Sequence, residues 1–373
     1  MVERRTWVEI HQRSLHSNLL QYQRLLPKNV KIAPVIKANA YGHGTLVVVQ
    51  TLKKSPIWGF CVASGEEALE LRQHFSRRIL VLSSWQPREL PDLIRARIDL
   101  VVWDTAAARQ AHRIATRIGT RARVHAKIDT GAGRIGVLPD AAPTFLNELQ
   151  RFSGIKLAGV FTHFAAVEEN QIRFTQLQLR RFREVTQSLP PSVERHTAST
   201  AAITRARQSW HSFVRLGIGL YGLWPSAATK RYARRDRLGV SLTPVLSWKT
   251  HVLQVKRIPR GTTVGYGRTF HATRPTTLGI IPIGYWDGFD RSLSNNGAAL
   301  VRGKRVRVAG RVSMNLTMLD LTDLPNPRPG DLVTLIGENG RASVTAEAMA
   351  AAAGTINYEV VTRINPRIPR ILV

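Results

Sequence analysis

Eight short apolar runs alternate with amphipathic stretches through the first two-thirds of the chain, and few folds accommodate that rhythm. The runs that read as strands are Lys31–Lys37, Ile57–Ala63, Ile79–Leu82, Leu100–Trp103, Val124–Ile128, Leu157–Thr162, Glu194–Ala198 and Val214–Gly217. Helical patterns fall between them at Gly65–His74, Pro87–Arg97, Thr105–Ile118, Ala141–Phe152, Asn170–Ser188 and Ala201–Ser209. Ser64, Asp104 and Asp140 each stand where a helix N-cap is wanted. The count predicts an α/β chain whose first domain is a (β/α)8, TIM-like barrel, with chemistry at the C-terminal ends of the strands. Past residue 230 the period changes. Val240–Gln254, Thr276–Ile283, Ala298–Val308, Asn315–Asp320 and Leu332–Ile336 read as strands separated by Gly and Pro turns. One alanine-rich helix is expected near Thr345–Ala353. The expected division is therefore residues 1–230 for the barrel and 231–373 for a smaller, mainly-β C-terminal domain. Thr6–Ile10 is also strand-like, which assigns the first ten residues or so to the β domain.

A chain of 373 residues, 43% of them apolar, can bury two sizeable cores. Cys61 is the single cysteine, so no intramolecular disulfide and no multi-cysteine metal site is possible, and no metal is expected. Met1–Ile10 has no apolar segment of the kind a secretory signal needs, and no run approaches the ~20 apolar residues that span a bilayer. The expectation is a cytoplasmic protein with no membrane partner. The charge is unusual: 54 Lys and Arg against 25 Asp and Glu, a formal +29. Eleven of the 54 are lysines, so arginine dominates. Such an excess raises the possibility of a nucleic-acid partner. The basic residues are spread along the whole chain, however, with the densest cluster at Lys230–Arg237, and no zinc-finger spacing or RNP-like aromatic motif accompanies them. That pattern argues for a solvated face rather than a polyanion-binding one.

Lys37 closes the first expected strand, in Pro34-Val35-Ile36-Lys37-Ala38-Asn39-Ala40-Tyr41-Gly42-His43-Gly44. A lysine aimed into a barrel mouth is desolvated, which lowers its pKa and makes it a competent amine nucleophile. On spacing alone, an ordinary surface lysine is the commoner case. The Tyr-Gly-His-Gly that follows shifts the balance, because a flexible turn beside a phenol suits a phosphate-bearing cofactor.

These residues resemble the pyridoxal phosphate (PLP) lysine motif of the alanine racemase family. The resemblance continues through Lys127–Gly136, Thr162–Ala165, Arg215–Gly222, Val264–Phe270, Pro282–Gly288, Gly310–Asn315 and Asn357–Val360, in order and over essentially the whole chain. It implies an enzyme that interconverts L- and D-alanine with PLP and supplies D-alanine for peptidoglycan. Racemisation needs a base on each face of Cα. The resemblance assigns Lys37 as the PLP-linked lysine and D-face base, and Tyr266 as the L-face base. A phenol with a pKa near ~10 is a poor base unless cations or donors surround it. Arg134 matches the arginine that contacts the substrate carboxylate and the cofactor's phenolic oxygen, and Met314 offers a backbone N–H to that carboxylate. Lys127 stands at the position that some family members carbamylate to orient this arginine. Arg215 matches the arginine facing the pyridine nitrogen, which it keeps unprotonated, and His163 packs beside it. Tyr41, Ser199, Thr200, Gly217, Ile218 and Tyr358 assemble the phosphate end. Tyr285 matches a tyrosine that narrows the entrance. Two positions depart from the pattern: Ser199, where the family usually has Asn, and Asn315, where Asp is commoner. The resemblance also implies a homodimer with shared active sites. Three other readings remain: a racemase of broader specificity for serine or basic amino acids, a PLP-dependent decarboxylase, and a basic nucleic-acid-binding protein.

Overall fold

The computed structural model describes residues 5–169 and 171–373. Met1–Arg4, part of the opening segment read above, lie outside the described residues. So does Asn170, the expected start of a helix that is described from Ile172 to Thr186. The chain divides into two compact units. Of the described residues, one holds 15–40, 48–169 and 171–243; the other holds 5–14, 41–47 and 244–373. The division expected near residue 230 thus falls at Thr243–Pro244, because the helix Ala227–Arg235 groups with the first unit.

The first unit is built on eight parallel strands. They are β2 (Lys31–Pro34), β3 (Phe60–Ser64), β4 (Ile79–Ser84), β5 (Leu100–Val102), β6 (Ala122–Lys127), β7 (Ile155–Phe161), β8 (Glu194–His196) and β9 (Phe213–Leu216). β2 pairs in parallel with β9, which closes the ring. Parallel pairs link β3–β4 and run from β5 through β8, and single bridges join Val35 to Cys61 and Leu80 to Asp99. β3, β4, β5, β7 and β9 are mostly apolar and buried, as strands covered on both faces tend to be, while β6 and β8 also bury His125, Lys127 and His196. Ser64 caps the helix Gly65–Arg72 by accepting from the Glu67 N–H, and Asp104 caps Thr105–Ile118 by accepting from the Ala107 N–H. Asp140 does not act as a cap. It lies inside a 3-10 turn, Pro139–Ala141, because Pro139 sets the first turn. Cys61 is buried in β3, where desolvation pushes its thiol up to about 12, and it behaves as a small core side chain.

The second unit is dominated by a sheet that draws on both ends of the chain. Its strands are β1 (Thr6–Ile10), β10 (Leu246–His251), β11 (Gln254–Ile258), β14 (Thr276–Ile281), β15 (Ala298–Val301), β16 (Lys304–Val308), β17 (Thr317–Asp320), β18 (Leu332–Asn339), β19 (Ala342–Val344) and β20 (Arg370–Leu372). A separate small hairpin joins β12 (Thr263–Val264) to β13 (Phe270–His271). β1 pairs antiparallel with β10 and parallel with β20. The expected strand Ala298–Val308 is in fact the hairpin β15–β16, turned at Arg302-Gly303, where both residues have positive φ. The expected helix runs Ala346–Ala353, capped by Thr345. A further helix, Asn357–Thr362, was not anticipated. Among the described residues no helix is long and apolar enough to cross a membrane, and no cluster of three metal-ligating side chains occurs.

Candidate active site

The residues singled out by sequence fall in both units. In the barrel unit, β2 stops at Pro34, short of the expected Lys37. Lys37 instead opens a turn in which Ala38, Asn39 and Ala40 all have φ of 52° and Tyr41 has 54°. Four consecutive non-glycine residues in the left-handed region are rare, at roughly 1–2 kcal/mol each. Strain of this kind persists only where surrounding structure enforces it. Glu67 supplies part of that restraint: its Oε1 accepts from the Ala38 N–H at 2.7 Å and its Oε2 from the Ala63 N–H at 2.7 Å. Burial lowers the Lys37 pKa, Arg134 and Arg215 lower it further, and Glu67 opposes them.

Lys127 ends β6. Burial first, then Arg215 and Arg134, bring its pKa down to about 8. Its Nζ lies 5.3 Å from the centre of the Phe161 ring. Arg134 follows in a tight turn organised by Asp129. One carboxylate oxygen of Asp129 accepts from the N–H groups of Gly131, Ala132 and Gly133, and the other from the Arg134 N–H at 2.8 Å. Burial would raise the Asp129 pKa, but these four donors outweigh it and hold the carboxyl below its ordinary value.

Arg215, in β9, is 4% exposed. It donates to His196 Nδ1 at 2.9 Å, to the carbonyls of His196, Thr162 and Thr197, and lies 3.3 Å from His163 Nδ1. His163 comes two residues after β7 rather than within it. Burial, then Arg215 and Arg134, drive its pKa well below the usual value, so the ring is neutral. Lys127, Asp129, Arg134, Thr162 and His163 line one cleft.

At the next strand end, Thr200 Oγ1 accepts from the Gly217 N–H at 3.0 Å and the Gly219 N–H at 3.4 Å. The Gly217 amide assigned by resemblance to a phosphate is thus engaged by Thr200. Ser199 sits at the N-cap of the helix Thr200–Arg205 without a side-chain cap bond.

In the β unit, Tyr266 lies in the β12–β13 turn, between Gly265 (φ 75°) and Gly267 (φ 68°), and is 72% exposed. A Cβ on Gly267 would press on the Arg311 guanidinium, so that cation lies against the turn. Tyr285 and Trp286 donate their backbone N–H groups to the carbonyls of Ser313 and Met314. Tyr266, Tyr285, Trp286 and Met314 are all exposed large side chains. Tyr285 also lines a cavity of about 470 Å³ with Gly288, Asp290, Arg291 and Arg363. Tyr41 and Tyr358 have ring centres 6.2 Å apart. Gly42, at φ 80°, can only be glycine, since a Cβ there would overlap the Val361 carbonyl.

Sequence reasoning missed Glu67, Asp129, His196 and His125, whose Nδ1 lies 2.9 Å from His196 Nε2. The first two had a local signal: Glu67 follows a cap serine, and Asp129 precedes Gly131 and Gly133. The histidines had none.

The barrel gathers lysines and arginines at its strand ends, a charge that a small anion would balance. The family model described as alanine racemase, N-terminal domain matches residues 10–225, and that for the alanine racemase C-terminal domain matches 245–372. An alanine racemase of Halothermothrix orenii is 38% identical, over 99% of this chain and 97% of that protein. One from Sorangium cellulosum is 39% identical over 98% of each. Among solved structures, an alanine racemase from Clostridium difficile 630 superposes with a TM-score of 0.93 at 34% identity, covering 100% of this chain and 97% of that one. The alanine racemase of Bacillus anthracis with bound L-Ala-P gives 0.91 at 32%, covering 100% and 96%. The chain belongs to the alanine racemase family.

Proposed function

We propose that the chain interconverts L- and D-alanine by a two-base mechanism with PLP as cofactor. Racemase activity follows from family membership over the full length. The observation that carries the cofactor reading is the charge of the barrel site: Lys37, Lys127, Arg134 and Arg215 all act on one another or on His163. The nearby carboxylates, Glu67 and Asp129, are occupied by backbone N–H donors. Such a surplus needs anions, and a phosphate, a phenolic oxygen and a substrate carboxylate supply them.

Lys37 would hold PLP covalently, Arg215 would face its ring nitrogen with His163 beside it, and Tyr41, Tyr358, Ser199, Thr200 and Ile218 would hold its phosphate, with Gly217 doing so only once its amide leaves Thr200. When bound, PLP supplies the electron sink that makes the Cα proton removable. Lys37 Nζ takes or returns that proton on the D face, and Tyr266 Oη does so on the L face. Arg134 and the Met314 N–H bind the substrate carboxylate, and Tyr285 narrows the entrance to favour a small side chain. Two bases serve one Cα only if both reach it, and the exposed face around Tyr266 and Met314 suits burial against a second copy of the chain. The working form is therefore a homodimer with shared sites, and its D-alanine would enter peptidoglycan in a bacterial cytoplasm. Polarimetry of L- and D-alanine with added PLP tests the activity. Exchange in both directions is expected, at a kcat/KM at least about tenfold above that for serine, arginine or lysine, one misfitting group being worth that much. No exchange of alanine, or faster exchange of a larger amino acid, overturns the reading.

Lys127 carries a second consequence. A pKa near 8 leaves a useful neutral fraction at neutral pH, and a neutral amine adds CO2 to give a carbamate and a proton. The resulting anion would sit beside Arg134 and fix its guanidinium. Incubation with ¹³C-bicarbonate should produce a carbamate carbon signal in the folded protein that is missing in Lys127→Met. A wild-type spectrum without it would leave Lys127 a plain amine.

A further inference from the structure

A line of polar side chains crosses the barrel interior from the N-terminal end of its strands to Arg215. It begins at Asp99, just before β5, which accepts from Arg78 at 2.7 Å and from Arg123 at 2.6 Å. Arg78 also binds Glu194 at 2.9 Å and lies 3.9 Å from the centre of the Trp58 ring. Burial would raise the Asp99 pKa, but His125, Arg123 and Arg78 outweigh it, so this carboxylate is ionised. His125 Nε2 lies 3.6 Å from Asp99 Oδ2 and has no hydrogen-bond partner of its own. His125 Nδ1 lies 2.9 Å from His196 Nε2, and His196 Nδ1 lies 2.9 Å from Arg215. Asp99, His125 and His196 are at most 1% exposed.

The direction of this line is fixed by valence. A guanidinium only donates, so His196 Nδ1 must be bare. Burial and then Arg215 keep His196 neutral, so its one proton sits on Nε2 and is donated to His125 Nδ1. His125 then carries its proton on Nε2, aimed at Asp99. Packing locks the rings in place. His196 is stacked between Phe161, at 4.6 Å and 10°, and Phe213, at 4.3 Å and 22°. A Cβ on Gly159 would overlap His125 Nδ1, and β6 and β7 shift register beside that point. The glycine clears the path of the imidazole.

We propose that Asp99, His125 and His196 are positioning residues for Arg215: His196 and His125 hold it through two successive one-way hydrogen bonds, and the Asp99 carboxylate orients the His125 ring by facing its Nε2–H at 3.6 Å. The inference rests on the reading of Arg215 as the group facing the cofactor's ring nitrogen. Its test does not depend on turnover alone. In wild-type protein labelled with ¹⁵N-histidine, both imidazoles should be neutral, with Nε2 protonated and Nδ1 bare, assigned by the resonances lost in His125→Gln. His125→Leu breaks the chain and should lower kcat for alanine about tenfold, the loss of one buried hydrogen bond to a polar group, while KM stays within about twofold. His125→Gln can still accept from His196 while its amide N–H groups face Asp99, and should restore kcat to within about threefold of wild type. A His196 protonated on Nδ1 or on both nitrogens overturns the chain. So does a folded His125→Leu with full kcat. If His125→Leu does not fold, the wild-type nitrogen shifts decide alone. They also separate this inference from the activity, since they are read whether or not alanine is racemised.

Discussion

Lys37→Ala should abolish racemisation, with a fall of about 10³-fold or more, because the variant loses both the covalent hold on the cofactor and one of the two bases. Borohydride reduction of the wild-type protein with PLP, followed by peptide mapping, should place the label on Lys37. The local structure gives the reason for this selectivity. Lys37 opens a left-handed turn anchored by Glu67, and burial together with Arg134 and Arg215 lowers its pKa, which makes it a better nucleophile than a solvated lysine. Lys127 has a depressed pKa as well, so it is the natural competitor. Label on Lys127 or Lys53 in place of Lys37, or an alanine variant that keeps racemising, would remove Lys37 from the reaction.

Mixing Lys37→Ala chains with Tyr266→Ala chains, each inactive, should return about a quarter of wild-type activity when subunits reassort at random. Half of the dimers are then mixed, and each has one site carrying both lesions and one carrying neither. The expectation follows from distributing the bases over two units of the chain: Lys37 in the barrel unit, Tyr266 in the β unit. Tyr266, Met314, Tyr285 and Trp286 are exposed large side chains, which the proposed dimer would cover. Proven subunit exchange without recovered activity would mean that both bases come from one chain.

Local spacing carried most of the architecture. The alternation of apolar runs and helical stretches specified eight barrel strands, because a strand or helix advertises itself within some ten residues. The N-caps at Ser64 and Asp104 were legible for the same reason, being bonds between residues three apart, whereas Asp140, also read as a cap, is not one. The order of motifs from Lys37 to Tyr358 carried the family. Other features depended on groups far apart in sequence. β1 gives no local sign that it will pair with β10 and β20, some 240 and 360 residues later. The left-handed turn that carries Lys37, which no propensity scale favours, is held by Glu67, thirty residues on, which takes the Ala38 N–H. Thr200 draws in the Gly217 amide, and His125 meets His196 across 71 residues in the barrel core. Periodicity records which face of an element is apolar. It does not record which buried polar group will find which partner, because that choice is made only when the strands close into a ring and water is gone.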